Sequence, residues 1–328
     1  MVILFEFIRN CHQTLLHNTG ASFNIIRNNE LCDKGNIMQN KHIGFIGLGQ
    51  MGAPMARMLM KSGYQITGFD ANTCTDSDIS MAESTHQIAE QSDIVITMLP
   101  DGAAVSSVAH EIIPLMRDGS ILIDCSTIDV RTAQTVGTYA HSSDIGFLDA
   151  PVSGGITGAA AGSLTFMIGG DAHILQQVLP LFETMGNKAV HCGAIGTGQI
   201  AKICNNMILG ATMIATCEAF DMADKLGLDR QSMFDVVSTS SGYSWSMNAY
   251  CPAPGIGPDS PADHGYKPGF SADLMLKDLG LAIEAAQMAG ADPRIGQCAR
   301  EIYAAFVETS GKGMDFSAIL PWLNANKS

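Results

Sequence analysis

The stretch His42-Ile-Gly-Phe-Ile-Gly47-Leu48-Gly49-Gln50-Met51-Gly52-Ala-Pro54 decides the fold. Its apolar run reads as a buried strand. Pro54 to Ser62 reads as a helix, with proline in the first turn, where no amide donor is needed. Between them lies a G-x-G-x-x-G turn. Its glycines allow a tight turn, close approach to a pyrophosphate and close helix–strand packing. The helix N-terminus adds amide donors and partial positive charge. A glycine-rich turn with no ligand is the plainer alternative, but the strand before it, the helix after it and an acid downstream favour a dinucleotide. The acid is Asp70, at the end of the next strand, Gln65 to Phe69. A carboxylate there accepts hydrogen bonds from the adenosine ribose and repels a 2′-phosphate. Ala71 to Ser80 contains no Lys or Arg to hold that phosphate. The predicted cofactor is therefore NAD, held by Gly47, Leu48, Gly49, Gln50, Met51, Gly52 and Asp70.

Working outward, Ile94 to Leu99 and Ile121 to Ile123 are further apolar strands with helical stretches between them, the pattern of βαβ units and a parallel sheet. Phe147-Leu148, Leu164 to Ile168 and Ala189 to His191 extend the sheet. After Gly198 the period becomes helical. Residues 199–226 read as one long helix, followed by Ser232 to Val237, Leu274 to Ala289 and Arg294 to Thr309. The expected fold is a Rossmann-type, doubly wound α/β domain with a mainly parallel sheet over 39–199. An all-α domain for substrate and oligomer contacts follows over 200–328. Residues 1–38 read as a disordered extension, or as a start placed too early with Met38 the natural one. Their composition makes a poor secretory signal and a weak transit peptide. Five of the twelve prolines fall between Cys251 and Phe270, which marks an ordered loop or lid.

The chain has 328 residues, 46% of them hydrophobic, enough for two domains and a large core. Its formal charge of −14 argues against nucleic acid or an anionic membrane as partner. The longest apolar runs are far short of a membrane span. The nine cysteines have no metal-ligand spacing. Cys125, Cys204 and Cys217 lie in apolar runs and read as reduced core thiols of a cytoplasmic protein. No metal is expected.

Several residues are candidates for chemistry. Leu99-Pro100 and Ser126-Thr127 follow strand ends, where open α/β sheets bind ligands. Pro100 and Thr127 either line the nicotinamide side of a groove or serve as ordinary loop residues. Asp149-Ala-Pro-Val-Ser153-Gly154-Gly155 offers successive amides beside a hydroxyl, a donor nest for a carboxylate or simply a β-turn. Lys202 and Asn206 sit at i and i+4 on one face of an apolar helix. Drawn into a cleft, the lysine's charged form is disfavoured by desolvation, and it can then take a proton from an alcohol. Asn206 can hold the hydroxyl or the lysine. Lys277-Asp278, on a helix with apolar flanks, reaches the cofactor or that lysine, or is an exposed pair. Trp245, Tyr250 and Phe270 wall a small apolar pocket or belong to the core.

At these residues the chain resembles the β-hydroxyacid dehydrogenase family, in particular its 3-hydroxyisobutyrate branch. Four motifs agree in order: Gly47 to Ala56, Asp149 to Gly155, Gly196 to Asn206 and Lys277 to Ala282. The similarity runs from Lys41 to Leu323. It implies NAD-dependent oxidation of a small β-hydroxyacid, 3-hydroxyisobutyrate, in valine breakdown, with Lys202 as the catalytic residue and Asn206 beside it. Ser153, Gly154 and Gly155 would hold the substrate carboxylate, with Thr127, Trp245, Tyr250 and Phe270 around the substrate. Leu99, Pro100, Thr127, Lys277 and Asp278 would face the cofactor. A homodimer or homotetramer is implied. Some relatives carry Asn in the loop after Pro100, where this chain has Asp101, which puts one cofactor contact in question. A reductase of tartronate, glyoxylate or succinate semialdehyde is the alternative within the family.

Overall fold

In the computed structural model the described residues are 41–72 and 78–325. The extension expected over 1–38 lies outside them, as do 73–77 of the base-free stretch after Asp70.

The chain first runs β1 (His42–Ile46), α1 (Gly52–Lys61), β2 (Gln65–Phe69), β3 (Ser80–Met81), α2 (Thr85–Gln91), β4 (Ile94–Thr97), α3 (Gly102–Ile112), β5 (Ile121–Asp124), α4 (Val130–Ser142) and β6 (Gly146–Asp149). Then come β7 (Val152–Ser153), α5 (Gly155–Ala161), β8 (Leu164–Gly170), α6 (Ala172–Met185) and β9 (Gly186–Gly193). The rest is helical: α7 (Thr197–Lys225), α8 (Arg230–Val237), α9 (Trp245–Asn248), α10 (Ala272–Ala289), α11 (Arg294–Phe306) and α12 (Ile319–Ala325).

The sheet order is β3-β2-β1-β4-β5-β6-β8-β7, with β9 on β8. The first six strands are parallel, in the order of a Rossmann sheet, whose ligand crevice lies at the β1/β4 switch point. β8 runs antiparallel to β6 and β7. Two-residue β3 and β7 carry no apolar run, so the sequence pattern did not announce them. β7 lies inside the stretch read as a turn.

Register brings a row of side chains to one edge. Ile46 pairs with Thr97, Thr97 with Asp124, and Asp124 with Asp149. Both carboxylates are fully buried and Thr97 nearly so. The carboxyl edge of an apolar sheet thus ends in polar groups beneath the crevice.

α7 begins at Thr197, two residues earlier than its periodicity suggests. Asp149, at the end of β6, supplies the reason. The Gly196 amide donates to its Oδ1 (2.7 Å) and the Gln199 amide to its Oδ2 (3.0 Å). A carboxylate thereby caps the positive end of the helix from outside it. The approach is close: a Cβ at Gly198 would lie 2.4 Å from Met167 O and 2.7 Å from Asp149 Oδ2. The strand-to-helix change falls between Gly193 and Thr197, so a division at 199/200 would cut the first turn of α7.

By length and composition α7, with 29 residues and a mean hydropathy of 1.3 in its best window, could cross a membrane. Here its apolar side chains fill the helical core. Met213, Cys217 and Phe220 pack with Met275, Leu279, Tyr303, Phe306 and Phe316, and each such fully buried apolar side chain contributes about 1.5–3 kcal/mol. Cys204 departs from the expectation: it is exposed, as is Cys298, while Cys125, Cys217 and Cys251 are buried. Cys204 lies four residues from Ile200 and from Ile208, both exposed, so it belongs to an apolar stripe that the core leaves uncovered. The expected helix over Arg294 to Thr309 gives way after Phe306 to a π turn, Val307–Gly311.

Candidate active site

The cofactor turn has the form its glycines suggest. A Cβ at Gly52 would lie 1.9 Å from Gly47 O, so helix and turn touch there, whereas nothing lies within 4 Å of one at Gly49. α1 starts at Met51–Gly52 without a side-chain cap. Among the described residues the amides of Gly49, Gln50 and Met51 make no backbone hydrogen bond, leaving an open cradle with donors at a helix N-terminus. Gly49 and Gln50 are exposed, Met51 half-buried, and Gly47 and Leu48 buried. Asp70 Oδ2 accepts the Leu48 amide (2.7 Å) and Oδ1 the Asn72 amide (2.8 Å). The acid is therefore fixed beside the turn with acceptor capacity remaining for a ribose. These residues fit NAD.

Two loops border the crevice beyond β4 and β5. Leu99 donates its amide to Ser126 Oγ (2.8 Å), and Ser126 Oγ donates to Asp124 Oδ1 (2.6 Å). Thr97 Oγ1 also donates to that oxygen (2.8 Å), while Asp124 Oδ2 has no partner among the described residues. Burial is the main cause that pushes Asp124 up to about 6, and likewise Asp149. Asp101 is the N-cap of α3 and accepts the Ala104 amide (2.9 Å), so at this position the departure from the family pattern is a helix cap.

Lys277, on α10, ties both loops together. Its Nζ donates to Pro100 O (3.0 Å) and Thr127 O (2.9 Å). The sequence placed this lysine near the cofactor side, and the structure brings Lys277, Pro100 and Thr127 into one knot.

Lys202 is buried, 8% exposed. Desolvation lowers its pKa; the Asp278 charge opposes that, and Lys277 adds to it. Among the described residues nothing accepts a hydrogen bond from its Nζ. Asn206 is on the same face, four residues on, and is buried. Its Nδ2 donates to Asp278 Oδ2 (2.6 Å), and its Oδ1 accepts from Asn205 Nδ2 (2.9 Å). One amide N–H and one lone pair remain for a ligand. Asp278, expected to reach the cofactor or Lys202, faces Lys202 and Asn206. It is 2% exposed, its pKa raised by burial against the pull of both lysines. Its Oδ1 has no hydrogen-bond partner among the described residues, with Lys277 Nζ 3.8 Å away.

The Ser153-Gly154-Gly155 turn links β7 to α5, with φ of 134° and 63° at the glycines. A Cβ at Gly155 would lie 3.6 Å from Gly269 O, which places the Phe270 loop next to the turn. That loop is held from below. Tyr250 Oη donates to Asp315 Oδ2 (2.9 Å), as do the amides of Gly269 (3.0 Å) and Phe270 (3.1 Å). Trp245 stacks on Tyr250, with centroids 4.8 Å apart, and Tyr250 and Phe270 both pack on Phe316. The Tyr250 hydroxyl is thus committed to the scaffold, and only its ring is available as a wall. Trp245 is 51% exposed, at the outer edge of the cluster. The Pro/Gly-rich stretch is ordered, with a capping box at Ser260 and Asp263.

Sequence reading missed Asp124, Gln199 and Asp315. Gln199 is fully buried. The one available signal was a polar residue three before Lys202 on an apolar helix face, a spacing shared with many solvated helices. Asp124 and Asp315 read as ordinary strand-end and turn acids, because pairing across the sheet and between distant loops is not written in local sequence.

Two family models cover the chain: the NAD-binding domain of 6-phosphogluconate dehydrogenase over 42–194, and the NAD-binding region of NADP-dependent 3-hydroxyisobutyrate dehydrogenase over 196–323. A probable 3-hydroxyisobutyrate dehydrogenase of Mycobacterium tuberculosis is 44% identical over 288 residues, 86% of this chain and 98% of the relative. An NAD-dependent L-serine dehydrogenase of Pseudomonas aeruginosa is 40% identical, over 85% of this chain and 96% of that protein. The solved structure of the M. tuberculosis 3-hydroxyisobutyrate dehydrogenase with L-serine superposes with a TM-score of 0.83 at 44% identity, covering 86% of this chain and 99% of that one.

Proposed function

We infer the activity from a premise: the chain belongs to the β-hydroxyacid dehydrogenase family and is an NAD-dependent oxidoreductase. Its reaction on this reading is the oxidation of 3-hydroxyisobutyrate to methylmalonate semialdehyde. NAD, when bound, supplies the acceptor for the hydride that leaves the alcohol carbon. Gly47 to Gly52 and Asp70 would hold its pyrophosphate and ribose, and the Pro100 and Thr127 loops its nicotinamide side.

Lys202 carries the reading. A buried amine of lowered basicity, with no acceptor among the described residues, accepts the substrate hydroxyl proton at Nζ as the carbonyl forms. In the reverse direction it returns that proton. Asn206 and Asp278 fix the lysine's surroundings. Ser153 and the amides of Gly154 and Gly155 take the substrate carboxylate, which the net charge of the chain would otherwise repel. The rings of Trp245, Tyr250 and Phe270 form an apolar wall suited to the methyl group.

A second reading is oxidation of L-serine, favoured by the L-serine dehydrogenase of P. aeruginosa and by the relative solved with L-serine. Serine bears an ammonium where 3-hydroxyisobutyrate bears a methyl. Reduced-cofactor absorbance, followed with 3-hydroxyisobutyrate, L-serine and other β-hydroxyacids, separates them. Higher kcat/KM for 3-hydroxyisobutyrate is expected, and equal or higher kcat/KM for L-serine would overturn the substrate assignment.

We also propose a cytoplasmic homodimer or homotetramer acting in valine breakdown, without nucleic-acid or membrane partners. The charge of −14 weighs against nucleic-acid and anionic-membrane partners, and the exposed Ile208, Met222, Leu226 and Ile295 of the helical region favour an assembly that covers them. Light scattering on the purified chain tests the assembly; a monomer would refute it.

A further inference from the structure

Gln199 is a fully buried amide between the two loops of the crevice and the helix that carries Lys202. Its Nε2 donates to Ser126 O (2.8 Å), and its Oε1 accepts the Ile128 amide (3.1 Å). The side chain brackets Thr127 from both neighbours. Its orientation is fixed, because a carbonyl oxygen only accepts and an amide N–H only donates. The other face of the same loop is held by Lys277 through Thr127 O. Ser126 in turn reaches Leu99, so the loop after β4 belongs to the same connection.

The backbone of Gln199 is anchored too. Its amide donates to Asp149 Oδ2, and Gly196, three residues before it, donates to Oδ1. Lys202 follows Gln199 by three residues, on the same face and about 4.5 Å along the axis. A helix is stiff over one turn. Any shift of the Ser126–Ile128 loop is therefore transmitted to the lysine, and the reverse.

We propose that Gln199 is a positioning residue: one buried amide sets the separation between the nicotinamide-side loop and the amine of Lys202. This rests on the reading of Lys202 as the group that takes the hydroxyl proton. Among the described residues Gln199 makes no hydrogen bond to the 47–52 turn or the 153–155 turn, which hold most of NAD and the acid on this reading, and it shares with them only the nicotinamide side at Thr127. Its loss should therefore appear in the chemical step and leave affinity almost unchanged.

The test uses the full chain with Gln199→Met, close in volume and unable to bridge, and Gln199→Glu. With the β-hydroxyacid that the wild type turns over best, Gln199→Met should lower kcat about 10–100-fold, the range for a misplaced reacting group. KM for the acid and Kd for NAD should stay within about threefold of wild type. A kcat within twofold of wild type, or a loss confined to KM, overturns the proposal. Gln199→Glu keeps an acceptor for Ile128 and regains a donor to Ser126 only when protonated. Its kcat relative to wild type should rise as pH falls from 8 to 6; a flat ratio overturns the proposal. The ratio is needed because Asp149, Asp124, Lys202 and Lys277 surround the position and are common to both proteins. Amide hydrogen exchange gives a readout independent of turnover. Ile128 should lose protection in Gln199→Met while residues 206–225 keep theirs, and unchanged protection at Ile128 refutes the bridge. A wild type that turns over no β-hydroxyacid would refute the enzymatic reading instead, and exchange would still decide the bridge.

Discussion

The surroundings of Asp315 and of Asp278 show two uses of a buried carboxylate within one helical region. Around Asp315 both oxygens are fully used. Oδ2 accepts from Tyr250, Gly269 and Phe270, and Oδ1 from the Ser317 amide (3.0 Å) and hydroxyl (2.6 Å). Around Asp278 one oxygen takes a single amide and the other has no hydrogen-bond donor among the described residues, with two lysines nearby. A saturated buried acid is a fastener. An acid left short costs desolvation that the fold does not recover locally, and such sites are where chemistry is found. On the function proposed above, the first region would shape the wall around the substrate, and the second would tune the lysine that takes its proton.

Lys202→Ala should separate the two regions most sharply. Its kcat should fall about 10²–10⁴-fold, the contribution of a positioned proton acceptor, while its Tm stays equal or rises, since a desolvated amine is removed. An unchanged rate of reduced-cofactor formation would end the distinction. Asp315→Ala should do the reverse. It strands the Tyr250 hydroxyl and the Gly269 and Phe270 amides, at about 1–3 kcal/mol for each that stays dry. Urea unfolding should show a loss of about 2–4 kcal/mol, with KM raised and kcat of the folded fraction nearly intact.

Removing a charge beside the lysine gives a smaller effect whose sign is decisive. Asp278 raises the pKa of Lys202 and Lys277 lowers it. In Asp278→Asn the lysine loses its proton more readily, so the acidic limb of kcat/KM against pH should move to lower pH. In Lys277→Met it should move to higher pH. Shifts in the same direction would show that neither charge acts through Lys202.

The smallest effect concerns the floor of the crevice. Asp124 sits at about 6 in the folded chain, against an ordinary 3.8. The native state therefore binds its proton more tightly than the unfolded chain does. The group contributes stability below about pH 4, loses it progressively as pH rises towards 6, and contributes none above. Asp124→Asn should reduce the gain in Tm between pH 7 and pH 5 relative to wild type. An identical pH dependence would show that Asp124 does not titrate in this range.

The cofactor turn was legible because a strand, three glycines, a helix and an acid are contiguous, and their spacing is imposed by covalent geometry. Lys202 and Asn206 were legible for a similar reason: helical period places i and i+4 together whatever the rest of the chain does. Cys204 was misread as core by the same logic, since an apolar run says a helix has an apolar face and does not say whether that face is covered. The commitment of Tyr250 to Asp315 joins residues 65 positions apart, a distance over which local pattern carries no information.

The sequence by itself determined the sheet and helix alphabet, the dinucleotide turn, and the face of α7 that bears an amine and an amide. Only the tertiary structure decided how basic that amine is, because basicity follows from burial and from charges on α10. Only tertiary structure, likewise, made Gln199 a bridge and set Asp124 beside Asp149. Local propensity is a property of neighbours in the chain, whereas solvation and charge are properties of neighbours in space.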